Sequence, residues 1–317
     1  LIGESENMRR CSKCEEKSIL YQRYSGMDLC KSHLKNSIEK KVKNYFRENC
    51  RIRKNDTIAV ALSGGKDSSV LLYIIKDIFG EWPNLDIYTI SIDEGIGKYR
   101  NESLEKAKSL SESLGIENHI YTFKEELGVS LDEIAEIDKN ERACSYCGIL
   151  RRWILNKSSK EVGADWLAVG HNLDDESQSA LMSFLDGEVE NIASLGGKPT
   201  KLKGFTPRIK PLRKIPEKEI ALYAKINRDI GAHFDECPYS YQALRQEVRS
   251  MLNKYERGHP GTKYSILSTI DKIAPILSEE INSLELDECS CCGEPSKNDK
   301  CRTCELITDI LEVESHM

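Results

Sequence analysis

The chain has 317 residues and a mass of 36.0 kDa, enough for about two domains and a core of ordinary size. Hydrophobic residues make up 39% and charged residues 31%, a globular rather than a disordered composition. The longest apolar run, residues 70–75, is far short of the ~18 residues of a membrane span, and no basic-then-apolar leader opens the sequence, so neither a membrane role nor a secretory signal is expected.

The net charge of −6 is the sum of opposed blocks. Residues 1–55 carry 14 Lys+Arg against 7 Asp+Glu, and residues 198–218 carry 8 against one. Residues 271–317 carry 4 against 12. Basic blocks on an acidic protein fit either a polyanionic partner or solvated faces.

In chain order, residues 8–35 are Cys-bearing and core-poor, and read as a small metal-stabilised module. A helix is expected over 32–47, with Leu34, Ile38, Val42 and Tyr45 on one stripe. An apolar run at 57–62 reads as a buried strand, followed by a Gly-rich turn at 63–68 and an apolar helix over 70–79. Strands are expected at 85–92, 119–123 and 165–170, and helices at 99–114 and 174–185. Strands alternating with helices predict an α/β fold with a parallel sheet covered on both faces. Residues 188–216 read as a long loop. Helices follow at 216–230, 239–256 and 263–282, and a second Cys-rich module closes the chain at 287–306. The expected units are 1–35, 36–55, 56–237, 238–286 and 287–317.

Ser63-Gly-Gly-Lys-Asp-Ser68 stands between a strand and a helix. Glycines let the backbone approach a phosphate, and free N–H groups at a helix start point at it. Lys66 adds charge, and Asp67 can hold Mg²⁺ against the phosphates. The string is not a Walker A loop. It resembles the PP-loop of the ATP pyrophosphatases, which cleave ATP to AMP and pyrophosphate on an α/β fold of the adenine-nucleotide α-hydrolase type. The resemblance spans about 55–237. It implies ATP contacts at Ala61, Leu62, Ser63, Gly64, Gly65, Lys66, Asp67 and Ser68, at Ile92 after the second strand, and at Gly170 and Asp175 after the fourth.

Twelve cysteines include four C-x-x-C pairs, which is metal or redox spacing and favours a reducing, cytoplasmic setting. Cys144, Cys147 and the distant Cys237 supply three thiolates. From spacing alone they fit a 4Fe–4S cluster with one open iron, a persulfide-and-resolving pair, or a free C-x-x-C beside an unrelated Cys. With the PP-loop, the segment Cys144-Ser-Tyr-Cys-Gly-Ile-Leu-Arg-Arg152 is similar to the TtcA/TtuA family of tRNA thiolases, whose three cysteines hold such a cluster. The double Arg looks more like the archaeal and eukaryotic wobble-uridine branch than the T-loop branch.

Cys11-x2-Cys14-x15-Cys30-x2-His33 and Cys289-x2-Cys292-x8-Cys301-x2-Cys304 are two complete structural zinc sets. Cys50 and Cys291 read as spare thiols. The thiouridine branch carries zinc modules at both ends. The resemblance thus implies ATP-dependent tRNA uridine 2-thiolation: the uracil O2 attacks the α-phosphate, and sulfur held at the cluster then displaces AMP. It implies Lys66, Asp67, Asp175 and Arg151 as catalytic residues. It also implies Mg²⁺, a 4Fe–4S cluster and two Zn²⁺ as cofactors. Expected partners are tRNA, a sulfur donor (sulfide or a ubiquitin-like thiocarboxylate carrier) and a second copy in a homodimer. T-loop thiolation, cluster-free persulfide transfer, and a non-enzymatic zinc-dependent RNA-binding module are the competing readings.

Overall fold

The computed structural model describes residues 9–138, 143–199, 202–242, 244–281 and 286–315. The chain opens with the hairpin β1 (Leu20–Gln22) and β2 (Met27–Leu29), then helix α1 (Lys31–Asn49). Next come β3 (Thr57–Ala61), α2 (Lys66–Phe79), β4 (Asp86–Asp93), α3 (Gly97–Ser113) and β5 (Glu117–Thr122). Helices α4 (Phe123–Leu127), α5 (Leu131–Ile137) and α6 (Ala143–Glu161) lead to β6 (Trp166–Ala168). They are followed by α7 (Leu173–Leu185), α8 (Val189–Ser194), β7 (Arg208–Ile209) and α9 (Glu217–Ile226). Helices α10 (Leu244–Gly258) and α11 (Thr262–Ile281) precede the hairpin β8 (Asp287–Glu288) and β9 (Pro295–Ser296) and a final helix α12 (Arg302–Ser315).

The central sheet has the order β5-β4-β3-β6-β7 and every pairing in it is parallel. Chain order reverses direction between β3 and β6. In an open α/β sheet the crevice at that point, beyond the carboxyl ends of the strands, is where ligands bind. The phosphate-loop string lies after β3 and the Gly170–Asp175 string after β6, so both candidate segments open onto the same crevice.

Alternation along β3 splits the core. Ile58, Val60 and Leu62 pack with Val70, Leu71, Ile74 and Ile75 of α2 and with the apolar stripe of α1. Ala59 faces the other way, with Ile90, Leu167 and Val169. A further cluster joins Phe123, Leu131, Ile134, Leu150 and Ile154 to Ile310 of α12, which holds the last helix against α5 and α6. Helix α11 packs on α7 and α8 through Ile270, Ala274, Ala180 and Ile192.

Several sequence expectations need correction. The region 188–216 is not one loop: it holds α8 and the edge strand β7. The predicted 216–230 helix ends at Ile226 and continues as a 3₁₀ turn, Arg228–Ile230. The predicted start at 239 falls in another 3₁₀ turn, Pro238–Gln242. Helix α2 begins at Lys66, one turn before residue 70, because Gly65 serves as its N-cap. Cys144 and Cys147 lie in the first two turns of α6. At i, i+3 they share one face. Residues 1–8 of the first expected unit and residue 282 of the predicted last helix lie outside the described residues. Among the described residues, no helix is long and apolar enough to cross a membrane.

Candidate active site

The phosphate loop is held by its own small residues. Ser68 Oγ accepts from the Ser63 N–H (3.1 Å), lies 3.0 Å from Ser63 Oγ and donates to the Gly65 carbonyl (3.1 Å). Gly64 has φ +81°, and a Cβ there would stand 1.8 Å from the Ser103 carbonyl oxygen of α3. A side chain is therefore excluded twice, by conformation and by contact. At Gly170 a Cβ would stand 3.0 Å from the Ser68 nitrogen, so the β6 end closes directly on the loop. Ala61 and Leu62 form the strand exit, where the Leu62 N–H bonds the Ile90 carbonyl at 2.8 Å.

Around the loop the charged residues are interlocked. Lys66 Nζ lies 3.0 Å from Asp67 Oδ2 and 2.8 Å from Glu217 Oε1. Asn172 Nδ2 donates to Asp67 Oδ1 at 3.1 Å. The same Asn172 caps α7: its Oδ1 accepts from the Asp174 and Asp175 N–H groups while its own N–H bonds Asp175 Oδ2. Asp67 and Asp175 thus stand on either side of one asparagine. Burial pushes both carboxyls up, Asp175 to about 6. A divalent cation between them would reverse that cost, since added positive charge beside buried carboxylates favours their ionised form. Their oxygens are hard donors of the kind Mg²⁺ takes, so the pair fits the expected ion.

The carbonyl of Ile92, one of the expected ATP contacts, is already taken. Arg100 donates to it from Nε at 2.7 Å and to the Ser63 carbonyl from Nη1 at 2.7 Å. Buried Glu94 is 2.7 Å from Arg100 Nε, and its other oxygen is 3.6 Å from Arg151 Nη1. Arg151 lies one turn beyond Cys147 on α6. A chain of ion pairs and hydrogen bonds therefore runs from the phosphate loop to the cysteine helix.

The three central thiols sit at that end. Cys144 Sγ donates to the Tyr239 carbonyl at 2.9 Å, on the segment that carries Cys237. Cys147 and Cys237 are half-buried among Tyr99, Tyr121, Tyr146 and Tyr239. Burial pushes the Cys147 thiol up to about 12 against the pull of Arg151, and raises Cys144 and Cys237 as well. Three thiols in an apolar pocket are a soft donor set that a metal centre would deprotonate. They are not drawn together as the end-module ligands are: among the described residues, only those two sets and one His–carboxylate group have all their donor atoms within 4.8 Å of one another. Wider spacing suits thiolates placed on different irons of a cluster better than thiolates sharing one ion.

A cluster of basic side chains lies beside this centre. The His171 side chain is exposed, and crowding by its neighbours, then the charges of Lys210, Arg151, Arg245 and Arg208, hold its pKa below the usual imidazole value. Burial and Arg152 bring Arg208 down to about 10. Arg245 Nη2 donates to Ser179 Oγ (3.0 Å), and Arg208 Nη2 to the Arg152 carbonyl (2.9 Å). Crowded cations form a site for a polyanion.

The end modules have zinc geometry. A tetrahedral ion with bonds near 2.0–2.3 Å puts its ligands about 3.5–3.8 Å apart. Cys14 and Cys30 sulfurs are 3.7 Å apart, and His33 Nδ1 is 3.4, 3.5 and 3.3 Å from Cys11, Cys14 and Cys30. Cys292 and Cys301 are 3.7 Å apart, and the Cys301 N–H donates to Cys289 Sγ at 3.1 Å. Cys304 completes the second set, while Cys291 is exposed and outside it. Cys50 is buried as the C-cap of α1. Sequence reasoning missed Glu94, Arg100, Asn172, Glu217, Arg208 and Arg245. Arg208 and Glu217 lay in the 198–218 block.

A PP-loop domain model matches residues 34–256, and the N-terminal LIM domain model of 2-thiouridine synthetase TtuA matches residues 10–35. The chain belongs to the PP-loop family of tRNA 2-thiolation proteins. It is 40% identical to the tRNA 2-thiolation protein NcsA of Haloferax volcanii, over 96% of this chain and 99% of that protein. It is 33% identical to the tRNA-5-methyluridine(54) 2-sulfurtransferase of Pyrococcus horikoshii, over 93% and 92%. Among solved structures, the U34-tRNA thiolase NcsA from Methanococcus maripaludis with its [4Fe-4S] cluster superposes with a TM-score of 0.81. It is 37% identical, with 95% of this chain and 96% of that one covered.

Proposed function

We propose that this chain thiolates a tRNA uridine at C2 in two steps at the β3/β6 crevice. Uracil O2 attacks the α-phosphate of ATP, which releases pyrophosphate and leaves the base adenylated. A hydrosulfide then adds at C2, AMP departs with the original oxygen, and the sulfhydryl proton is lost. Adenylation converts a poor leaving oxygen into a good one, and no redox step is needed.

The residues divide the work. The backbone of Ser63, Gly64, Gly65 and Ser68, with Ala61, Leu62, Ile92 and Gly170 around it, cradles the nucleotide. Asp67 and Asp175 hold Mg²⁺. Lys66, released from Glu217, serves the phosphates. Arg151 stabilises charge between nucleotide and base. Cys144, Cys147 and Cys237 hold a 4Fe–4S cluster, which supplies an iron position left open for sulfur. Cys11, Cys14, Cys30 and His33, and Cys289, Cys292, Cys301 and Cys304, hold one Zn²⁺ each. The Arg152–Arg208–Arg245 cluster takes the RNA backbone, and the target base is splayed out to reach C2. The observation that carries the reading is the continuous link Ser63–Arg100–Glu94–Arg151, which ties the phosphate loop to the cysteine helix.

Modification of the wobble uridine is favoured by the U34-tRNA thiolase of Methanococcus maripaludis. The Pyrococcus relative supports thiolation at the T-loop uridine as the second reading. A homodimer, a sulfide or thiocarboxylate donor and a cytoplasmic setting complete the proposal.

The test is anaerobic thiolation of tRNA by wild-type protein and by Cys144→Ala, Cys147→Ala and Cys237→Ala. It is read by iron content and by mass spectrometry of tRNA fragments. The variants should lose iron and thiolation together while still binding ATP. Thiolation by rigorously iron-free protein would transfer the chemistry to a persulfide, and the modified fragment separates the two uridines.

A further inference from the structure

One donor cluster belongs to neither the nucleotide site nor the three cysteine centres. His233, Glu102 and Asp235 bring a ring nitrogen and two carboxylate oxygens within 4.8 Å of one another. His233 Nε2 is 3.3 Å from Asp235 Oδ2 and 3.7 Å from Glu102 Oε2. The His233 side chain is only 9% exposed, and its Nε2 is buried without a hydrogen-bond partner. A buried polar atom left unpaired calls for an explanation. Here it points at two oxygens that are themselves open to water, Glu102 at 45% and Asp235 at 78% exposure.

We infer that His233, Glu102 and Asp235 form a binding site for a divalent transition cation. One imidazole with two carboxylates suits Zn²⁺, Mn²⁺ or Fe²⁺ rather than the soft-thiolate chemistry of the end modules. Bonds near 2.0–2.2 Å need ligand atoms roughly 3.0–3.5 Å apart. The Asp235 distance already fits, and the Glu102 carboxylate, on an exposed side chain, closes the remaining few tenths of an ångström. The open side of the ion faces solvent and takes water.

The position gives the site a role. The His233 N–H donates to the Gly64 carbonyl at 2.9 Å, and His233 pairs in parallel with Gly65. Glu102 adjoins Ser103, whose carbonyl packs against Gly64. Cys237 lies four residues after His233. The ion joins α3 to the segment between the phosphate loop and the third central cysteine, and so fixes that segment against the loop.

The experiment uses full-length protein with its end-module zinc retained, titrated with Mn²⁺ without nucleotide and followed by electron paramagnetic resonance. Wild-type protein should bind Mn²⁺ with a ¹⁴N imidazole coupling in the electron spin-echo envelope. His233→Gln should abolish that coupling. Asp235→Asn, at an exposed position where folding is not at risk, should weaken the imidazole-coupled site at least tenfold. Mn²⁺ held by Asp67 and Asp175 carries no such coupling, so Asp67→Asn should leave the signal intact. Absence of imidazole coupling in wild-type protein, or coupling that persists in His233→Gln, would overturn the assignment. The readout is independent of thiolation.

Discussion

Gly64→Ala isolates what the phosphate loop requires of its backbone. A left-handed φ of +81° costs a residue with a Cβ about 1–2 kcal/mol. The new methyl would also stand 1.8 Å from the Ser103 carbonyl oxygen and 2.7 Å from its carbon. Both atoms are helix backbone, so no rotamer change relieves the clash. Loop and α3 must separate by more than an ångström, at a further cost on the order of 1–3 kcal/mol. Gly115→Ala is the control: its φ is +63° but nothing lies within 4 Å of its Cβ position. It should incur the conformational cost alone. At roughly 2–4 °C per kcal/mol for a chain this large or slightly smaller, both variants should melt lower and Gly64→Ala lower still. Calorimetric titration with ATP then separates them, because only Gly64→Ala displaces the N–H groups that face the phosphates. Its ATP affinity should fall at least tenfold, with Gly115→Ala unchanged. Wild-type ATP affinity in Gly64→Ala would refute the role assigned to the loop backbone.

Glu94→Ala leaves Arg100 buried without its carboxylate, a loss of about 3–5 kcal/mol for a broken buried pair. Chemical denaturation should show it, and a loss below 1 kcal/mol would mean that the pair is not coupled to stability. Cys289→Ser should lower the zinc content from two ions to one and expose the C-terminal module to protease while ATP still binds. Unchanged zinc would rule out the second set. Asp175, raised to about 6 by burial, favours the fold in its neutral form. That contribution is complete below about pH 4 and is lost as pH rises through about 6, at most about 3 kcal/mol. Asp175→Asn should therefore flatten the pH dependence of nucleotide-free stability over this window. In the wild type, Mg²⁺ affinity should rise across the same pH range. A wild-type stability slope in the variant would count against this account.

The parts legible in the sequence are those in which local chemistry and local geometry coincide. Ser63 to Ser68 is readable because two glycines, a strand and a helix start are contiguous. The end modules are readable because ligand spacing alone closes a tetrahedron. Strand β7 was not readable: Arg208–Ile209 is two residues long in a Gly, Pro and Lys-rich run, and only its pairing with β6 and the full burial of Ile209 identify it. Helix α5 was readable but overlooked, since Ser130 and Glu133 spell a capping box that the structure forms. Lys66–Glu217 and Glu94–Arg151 could not be read at all. Such pairs depend on which strand ends meet at the switch point, which no local pattern encodes.

Two linkages join the phosphate loop to the cysteine centre. One runs through side chains, from the Ser63 carbonyl through Arg100 and Glu94 to Arg151. The other runs through backbone, from the Gly64 carbonyl to the His233 N–H and along the chain to Cys237. Each uses a carbonyl of the loop itself, so the loop cannot move without straining both. An adenylated uracil is open to attack by water as well as by sulfur. A site that activates the base in one place and delivers sulfur in another would lose it to hydrolysis in transit. Rigid mutual positioning removes the transit, because a held nucleophile reacts at an effective concentration that bulk water cannot match. The two linkages are therefore as much a part of the proposed chemistry as Asp67 or the three thiols. Their members, Glu94, Arg100 and His233, are where substitutions far from ATP should uncouple adenylation from sulfur transfer.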